Sequence, residues 1–187
     1  TRGTDMKPLS AWKLYDWADS AFVTTVVAAV LPAYFAGVVC AGGNAGFEIL
    51  GLQVRSTPTS IWGYAVGLAA LVVALLSPVL GAIADAAGRR KLFLALFAAL
   101  GIAASAMLSL SGPGMVLFTL AFLVAGEIGF AGAQVFYNSL LENVSPPDAR
   151  DTASAGGFAW GYLGGGILLA INVLMIRKPD LFGLADA

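Results

Sequence analysis

Gly81-Ala-Ile-Ala-Asp85-Ala-Ala-Gly88-Arg89-Arg90-Lys91 separates two apolar runs, each long enough to cross a bilayer. These residues stop one membrane helix, turn the chain and set three consecutive cations on one side. Lys and Arg clustered in a short loop mark the cytoplasmic face of a membrane protein. The loop therefore orients everything that precedes and follows it.

Working outward, the hydropathy pattern predicts five transmembrane helices, at 20–39, 61–84, 92–110, 114–141 and 153–176. Each has the ~17–25 residues that a hydrocarbon core of about 30 Å requires. Composition agrees: 59% of the 187 residues are hydrophobic and 11% charged, where a soluble domain carries roughly 25% charged residues. The expected fold class is all-α, a polytopic protein whose main partner is the lipid bilayer. A net charge of −1 gives no basic footprint for nucleic acid. The single cysteine, Cys40, allows no intrachain disulfide and reads as a small buried apolar residue. There is no histidine, so imidazole ligation is absent and proton chemistry must use carboxylates. No nucleophile–base pair or metal-ligand cluster is legible. The expectation is a protein that is not an enzyme and holds no cofactor or metal.

The connectors alternate sides. Residues 1–19, read as a lead-in, hold Arg2, Lys7 and Lys13; the 85–91 loop holds Arg89, Arg90 and Lys91; the 142–152 loop holds Arg150. Seven of the ten cations thus share one side, leaving Arg55, Arg177 and Lys178 on the other. The cation asymmetry places the N-terminus in the cytoplasm and residues 40–60 outside, with a bacterial cytoplasmic (inner) membrane as the expected location. Five spans leave the 177–187 tail outside, where a sixth helix is expected to follow. The partner is then the remaining C-terminal half of a larger protein or another membrane subunit.

Turn chemistry supports these boundaries. Ser10 is expected to cap an amphipathic lead-in bearing Trp12, Tyr15 and Trp17. Thr57-Pro58-Thr59-Ser60 reads as a helix cap, and Gly112-Pro113-Gly114 as a tight turn. Ser145-Pro146-Pro147-Asp148 reads as a capped helical turn before the fifth segment.

Polar residues inside the apolar segments are the candidate site. Glu127 falls near the middle of the fourth segment, where a charge costs at least ~2.5–3.5 kcal/mol on insertion scales. Gln134 and Asn138 follow seven and eleven residues later, about 20° to either side of Glu127 at 100° per residue. The three form one stripe, which either lines a wet cavity or joins helices by hydrogen bonds. Asp16 and Asp19 open the first segment one turn apart. They suit either the positive end of a helix dipole or a coupling and gating pair. Pro32 and Pro78 free the carbonyls of Ala28 and Ala74 respectively. Small residues form two seams for helix packing: Gly63, Gly67, Ala70, Ala74 and Gly81 in the second segment, and Gly157, Gly161 and Gly165 in the fifth.

The pattern Gly81-x-x-x-Asp85-x-x-Gly88-Arg89-Arg90-Lys91 resembles the signature loop of the major facilitator superfamily. Leu14-Tyr-Asp-Trp-Ala-Asp-Ser-Ala-Phe22, Val135-Phe-Tyr-Asn-Ser-Leu-Leu141, Trp160-Gly-Tyr-Leu-Gly-Gly-Gly166 and Met175-Ile-Arg-Lys-Pro-Asp-Leu-Phe-Gly183 resemble the branch related to the yeast vacuolar amino-acid effluxer. The resemblance implies two six-helix halves that alternate access to a central site, this chain supplying most of the N-terminal half. It implies that helices one and four line the cavity, that Gly81 allows close helix contact, that Asp85 joins a charge network between halves, and that Arg89 and its neighbours pair with nearby acids. It also implies a secondary transporter of a small organic solute, with amino acids the leading class. A non-transporting scaffold or accessory subunit is the alternative. Four departures are visible: Ala86 in place of a basic residue, Asp19 in place of Asn, Glu142 in place of Pro, and no arginine in the fourth segment. Proton antiport is therefore not carried over.

Overall fold

In the computed structural model, residues 8–86 and 88–184 are described. Arg2, Lys7 and Ala87 lie outside them, as do the ends of the expected lead-in and tail. Among the described residues, five helices are long and apolar enough to cross a membrane. They are α1 (Pro8–Val39), α2 (Pro58–Ala86), α3 (Arg90–Leu108), α4 (Val116–Ser139) and α5 (Arg150–Arg177). Between α1 and α2 stands a hairpin of β1 (Ala45–Ile49) and β2 (Leu52–Ser56). The protein is an integral membrane protein of predominantly helical build, as the hydropathy pattern implies.

The boundaries moved in informative ways. α1 is already helical at Pro8, so Ser10 does not cap it and the expected lead-in is continuous with the span. Asp16 and Asp19 consequently sit at least two turns inside the helix. The dipole acts mainly within the first turn, so it is not what holds them. Downstream, Phe22–Val30 and Phe35–Val39 take the wider π-helical turn, with Leu31–Tyr34 between them. The first wide stretch is rich in β-branched residues (Val23, Thr24, Thr25, Val26, Val27, Val30), whose side chains crowd a regular helix. Pro32 then denies the helix one donor. In α2, Ser77 donates its hydroxyl to the Ala74 carbonyl that Pro78 leaves free, at 3.4 Å.

Helix ends follow local chemistry. Thr57 caps α2: its hydroxyl oxygen accepts from the Ser60 amide at 3.3 Å and lies 2.9 Å from the Ser60 hydroxyl. Gly88, with φ 62°, closes the other end. Its amide donates to Asp85 and the Arg89 amide to Ala84, the pairing of a Schellman motif. At 112–115 the Met115 amide donates to the Gly112 carbonyl across Pro113 and Gly114 (φ 78°), the residue order of a type II turn. Before α5, by contrast, Ser145 is not the cap. The extended residue is Pro146, and a short 3-10 turn at Pro147–Ala149 leads into α5.

The chain forms two compact units. One contains the described residues through Leu31 and those from Leu141 onward. Here α1 packs lengthwise on α5. The other runs Pro32–Leu140, where α4 is the hub against which α2, α3 and the base of the hairpin pack. Fully buried Phe35 meets the Trp62 ring at 5.5 Å, and Tyr34 donates its hydroxyl to the Ser111 carbonyl at 2.8 Å. The Gly114 amide donates to Val39, tying the end of α1 to the turn between α3 and α4.

The hairpin is a feature that hydropathy alone missed. Its register pairs Phe47 with Val54 and Ile49 with Leu52, across the two-residue turn Leu50-Gly51. Both turn residues have positive φ, 50° and 80°, as a type I′ turn requires.

Candidate functional site

The polar stripe lies on α4, and its direction follows from how α4 packs. Gly129 lies so close to α3 that a Cβ there would sit 2.7 Å from the Gly101 Cα and 2.9 Å from the Phe97 carbonyl oxygen. A Cβ on Gly132 would overlap the Phe97 ring. Phe93 and Phe97 in turn stack on the buried ring of Phe136, at 5.3 and 5.8 Å. Small residues three apart thus give α4 a glycine face toward α3, a seam that attention to four-residue spacings overlooked. At 100° per residue Glu127, Gln134 and Asn138 lie about 140–180° around the helix from Gly129. The stripe is therefore turned away from α3.

Its members differ in setting. Glu127 is half-buried, and its Oε1 is buried with no hydrogen-bond partner among the described residues. Gln134 is half-buried, and Asn138 is exposed. A buried carboxylate oxygen without a donor is costly unless a proton, cation or donor reaches it. That makes Glu127 the chemically incomplete member of the stripe. The open cavity of about 410 Å³ lined by Asn44, Glu48, Gln53 and Arg55 belongs to the hairpin and includes none of these residues.

Asp16 is buried in the other unit. A Cβ on Gly161 would lie 2.6 Å from Asp16 Oδ2 and 2.6 Å from Ser20 Oγ. Likewise a Cβ on Gly165 would lie 2.5 Å from Thr24 Oγ1, one on Gly164 would meet Trp17, and one on Gly156 would overlap the Lys13 ammonium. The polar ridge Lys13, Asp16, Ser20 and Thr24 of α1 therefore occupies a groove that α5 opens with glycines. Gly157 is buried in the same helix. Thr24 also donates to the Ser20 carbonyl at 2.8 Å, and Asn172 Nδ2 donates to Thr25 Oγ1 at 3.4 Å. Asp19 is half-buried and accepts from the Tyr15 hydroxyl at 3.5 Å.

The α2 seam behaves differently. A Cβ on Gly63, Gly67 or Gly81 meets nothing within 4 Å among the described residues. The face of α2 that packs inside its unit carries Ile61, Trp62, Ala65 and Ala69 instead.

In the signature loop Arg90, rather than Arg89, holds Asp85: Nε donates to Oδ1 at 2.6 Å. Arg90 Nη1 also donates to the Ser139 carbonyl at 3.2 Å, at the C-terminal end of α4. Arg89 and Lys91 are exposed. One guanidinium thereby joins the ends of three helices, α2, α3 and α4. Glu142 lies 3.8 Å from Arg150 Nη1.

Comparison with known proteins agrees with this architecture. Residues 4–151 match the family described as vacuole effluxer Atg22 like. Over 176 residues the chain is 34% identical to a protein described as an uncharacterized MFS-type transporter, YxiO, of Bacillus subtilis (strain 168). That match covers 93% of this chain and 39% of the relative, so the chain spans about two-fifths of the relative's length. No solved structure matches. The chain belongs to the vacuole effluxer Atg22-like family of MFS-type transporters.

Proposed function

We propose that this chain forms most of the N-terminal half of a secondary active transporter that moves a small organic solute by alternating access, with amino acids the leading class. The observation that carries the reading is the Glu127 carboxylate, which has a buried oxygen without a donor among the described residues, in mid-span and in line with Gln134 and Asn138. Lipid offers such a group no hydrogen bond. An ammonium group of a passing solute, or a proton, would complete it. Gln134 and Asn138 extend the polar track along α4. Asp16 and Asp19 are further carboxylates on α1, and Arg90, Asp85 and Gly88 where α2 turns into α3, with Gly81 one turn inside α2, form the gate on one face. The open glycine face of α2 (Gly63, Gly67) suits packing against a further helix of the complete transporter. Cation asymmetry supports a cytoplasmic N-terminus, and a bacterial cytoplasmic membrane is the location that goes with this reading.

The test is Glu127→Gln in the complete transporter reconstituted in vesicles. Glutamine keeps shape and hydrogen bonding and removes charge and titration. The expected outcome is at least a tenfold loss of solute uptake with normal insertion and thermal stability. Full uptake with an unchanged pH profile would show that Glu127 serves only helix packing.

A further inference from the structure

The hairpin between α1 and α2 has one apolar and one polar face. Alternation along the strands puts Ala45, Phe47, Ile49, Leu52 and Val54 on one side, with Gly46, Glu48, Gln53 and Arg55 on the other. Cover over the apolar face fades from base to tip. Ala45 is fully buried, Phe47 and Val54 are half-buried, and Ile49 and Leu52 are 45% and 69% exposed. Leu50, at the turn, is 97% exposed.

Leu50 is the informative residue. It holds φ 50° at the first turn position, where Asn, Asp or Gly is favoured and a branched apolar side chain is strained. Among the described residues almost nothing covers Leu50 to offset that strain. Leu52 likewise stands mostly uncovered beside it. Three adjacent apolar side chains at the tip of a two-stranded hairpin need cover from outside, since an isolated hairpin is marginal in water.

Connectivity identifies the cover. Thr57 alone separates β2 from the first residue of α2, and the α1 span ends at Val39, five residues before Asn44 leads into β1. The hairpin base is therefore fixed at the bilayer edge. A five-residue strand reaches about 17 Å, more than the ~5–8 Å depth of the headgroups on one side, so the tip stays at the headgroups when the hairpin lies along the surface. An exposed apolar ridge on α2 begins at once with Tyr64 and Leu68. We infer that the hairpin is an interfacial membrane anchor: it lies along the bilayer surface with Ile49, Leu50 and Leu52 at the headgroup–acyl boundary and Glu48, Gln53 and Arg55 toward water. Leucine at a strained turn position is retained because lipid contact outweighs the backbone cost.

The experiment places an environment-sensitive fluorophore on single cysteines at Leu50 and Gln53 in a Cys40→Ala background, with the full protein in phosphatidylcholine vesicles. Doxyl groups at shallow acyl positions quench from the lipid side, and iodide quenches from water. The expected result is at least threefold stronger lipid quenching at Leu50→Cys than at Gln53→Cys, with the opposite order for iodide. Equal iodide access at both sites without lipid quenching would overturn the inference. Protection of Leu50→Cys from both quenchers would also overturn it, since that places protein over the tip. A label at Leu52→Cys gives the same readout should Leu50→Cys fail to accumulate.

Discussion

Arg90 and Asp85 meet across the turn between α2 and α3, guanidinium Nε to carboxylate oxygen at 2.6 Å, and the same guanidinium reaches the last carbonyl of α4. Of the three consecutive cations, one is thus built into the fold and two remain exposed. The pair itself is only partly sheltered, with side-chain exposures of 29% and 56%, so as an ion pair it contributes little. Its added hydrogen bond to a helix terminus is what distinguishes it. Arg90→Ala is expected to lower stability by about 1 kcal/mol, read as a fall in melting temperature in detergent or nanodiscs. Arg89→Ala and Lys91→Ala should leave it unchanged. An equal loss at all three positions would argue against the clamp.

Glycine substitutions should separate packed seams from open ones. Gly129→Ala puts a Cβ into the backbone of α3, and Gly161→Ala puts one against the Asp16 carboxylate. Each is expected to destabilise by about 1–3 kcal/mol through overpacking, with Gly129→Ala the more severe because backbone cannot step aside as a side chain can. Gly63→Ala meets open space. It should be neutral or stabilising by up to ~1 kcal/mol, from helix propensity alone. Thermal melts of the three variants check the order.

Cys40 is buried at the end of α1, and that burial raises its thiol above the ordinary cysteine value. Burial disfavours the thiolate, which is the reactive form. A raised value means less thiolate at neutral pH, with reactivity appearing only as pH climbs past the range of an exposed thiol. Maleimide should therefore modify Cys40 more slowly than a cysteine placed at Gln53, and the midpoint of its pH–rate curve should lie higher. A midpoint matching the Gln53→Cys control would contradict the assignment.

The sequence disclosed the spans because lipid imposes one strong requirement, about twenty apolar residues in a row, and the chain meets it five times. It also disclosed the Glu127 stripe, since helical periodicity alone aligns those residues. Other features depend on tertiary neighbours. Lys13, Asp16 and Asp19 looked like a polar lead-in because nothing local reveals that α5 provides a glycine groove for part of that ridge. In α2 the glycine line and the alanine line are equally plausible packing faces by composition, and only the fold selects Ala65 and Ala69. The hairpin was partly legible: Phe47, Ile49, Leu52 and Val54 alternate correctly. Its turn, however, uses Leu-Gly rather than the Asn-Gly that signals such a reversal. Arg90 was legible as a cation but not as the chosen one, because its acceptors come from two other helices.

The glycine groove has a consequence for biosynthesis. α1 emerges from the ribosome first and α5 last among the five spans. Throughout that interval the ridge of Lys13, Asp16, Ser20 and Thr24 has no groove to enter, and the apolar residues after Ala21 must hold the helix in the bilayer by themselves. Shelter for the earliest helix is thus encoded in the latest one, and nascent chains halted before Gly156 would display an unsheltered ridge to the membrane quality-control machinery.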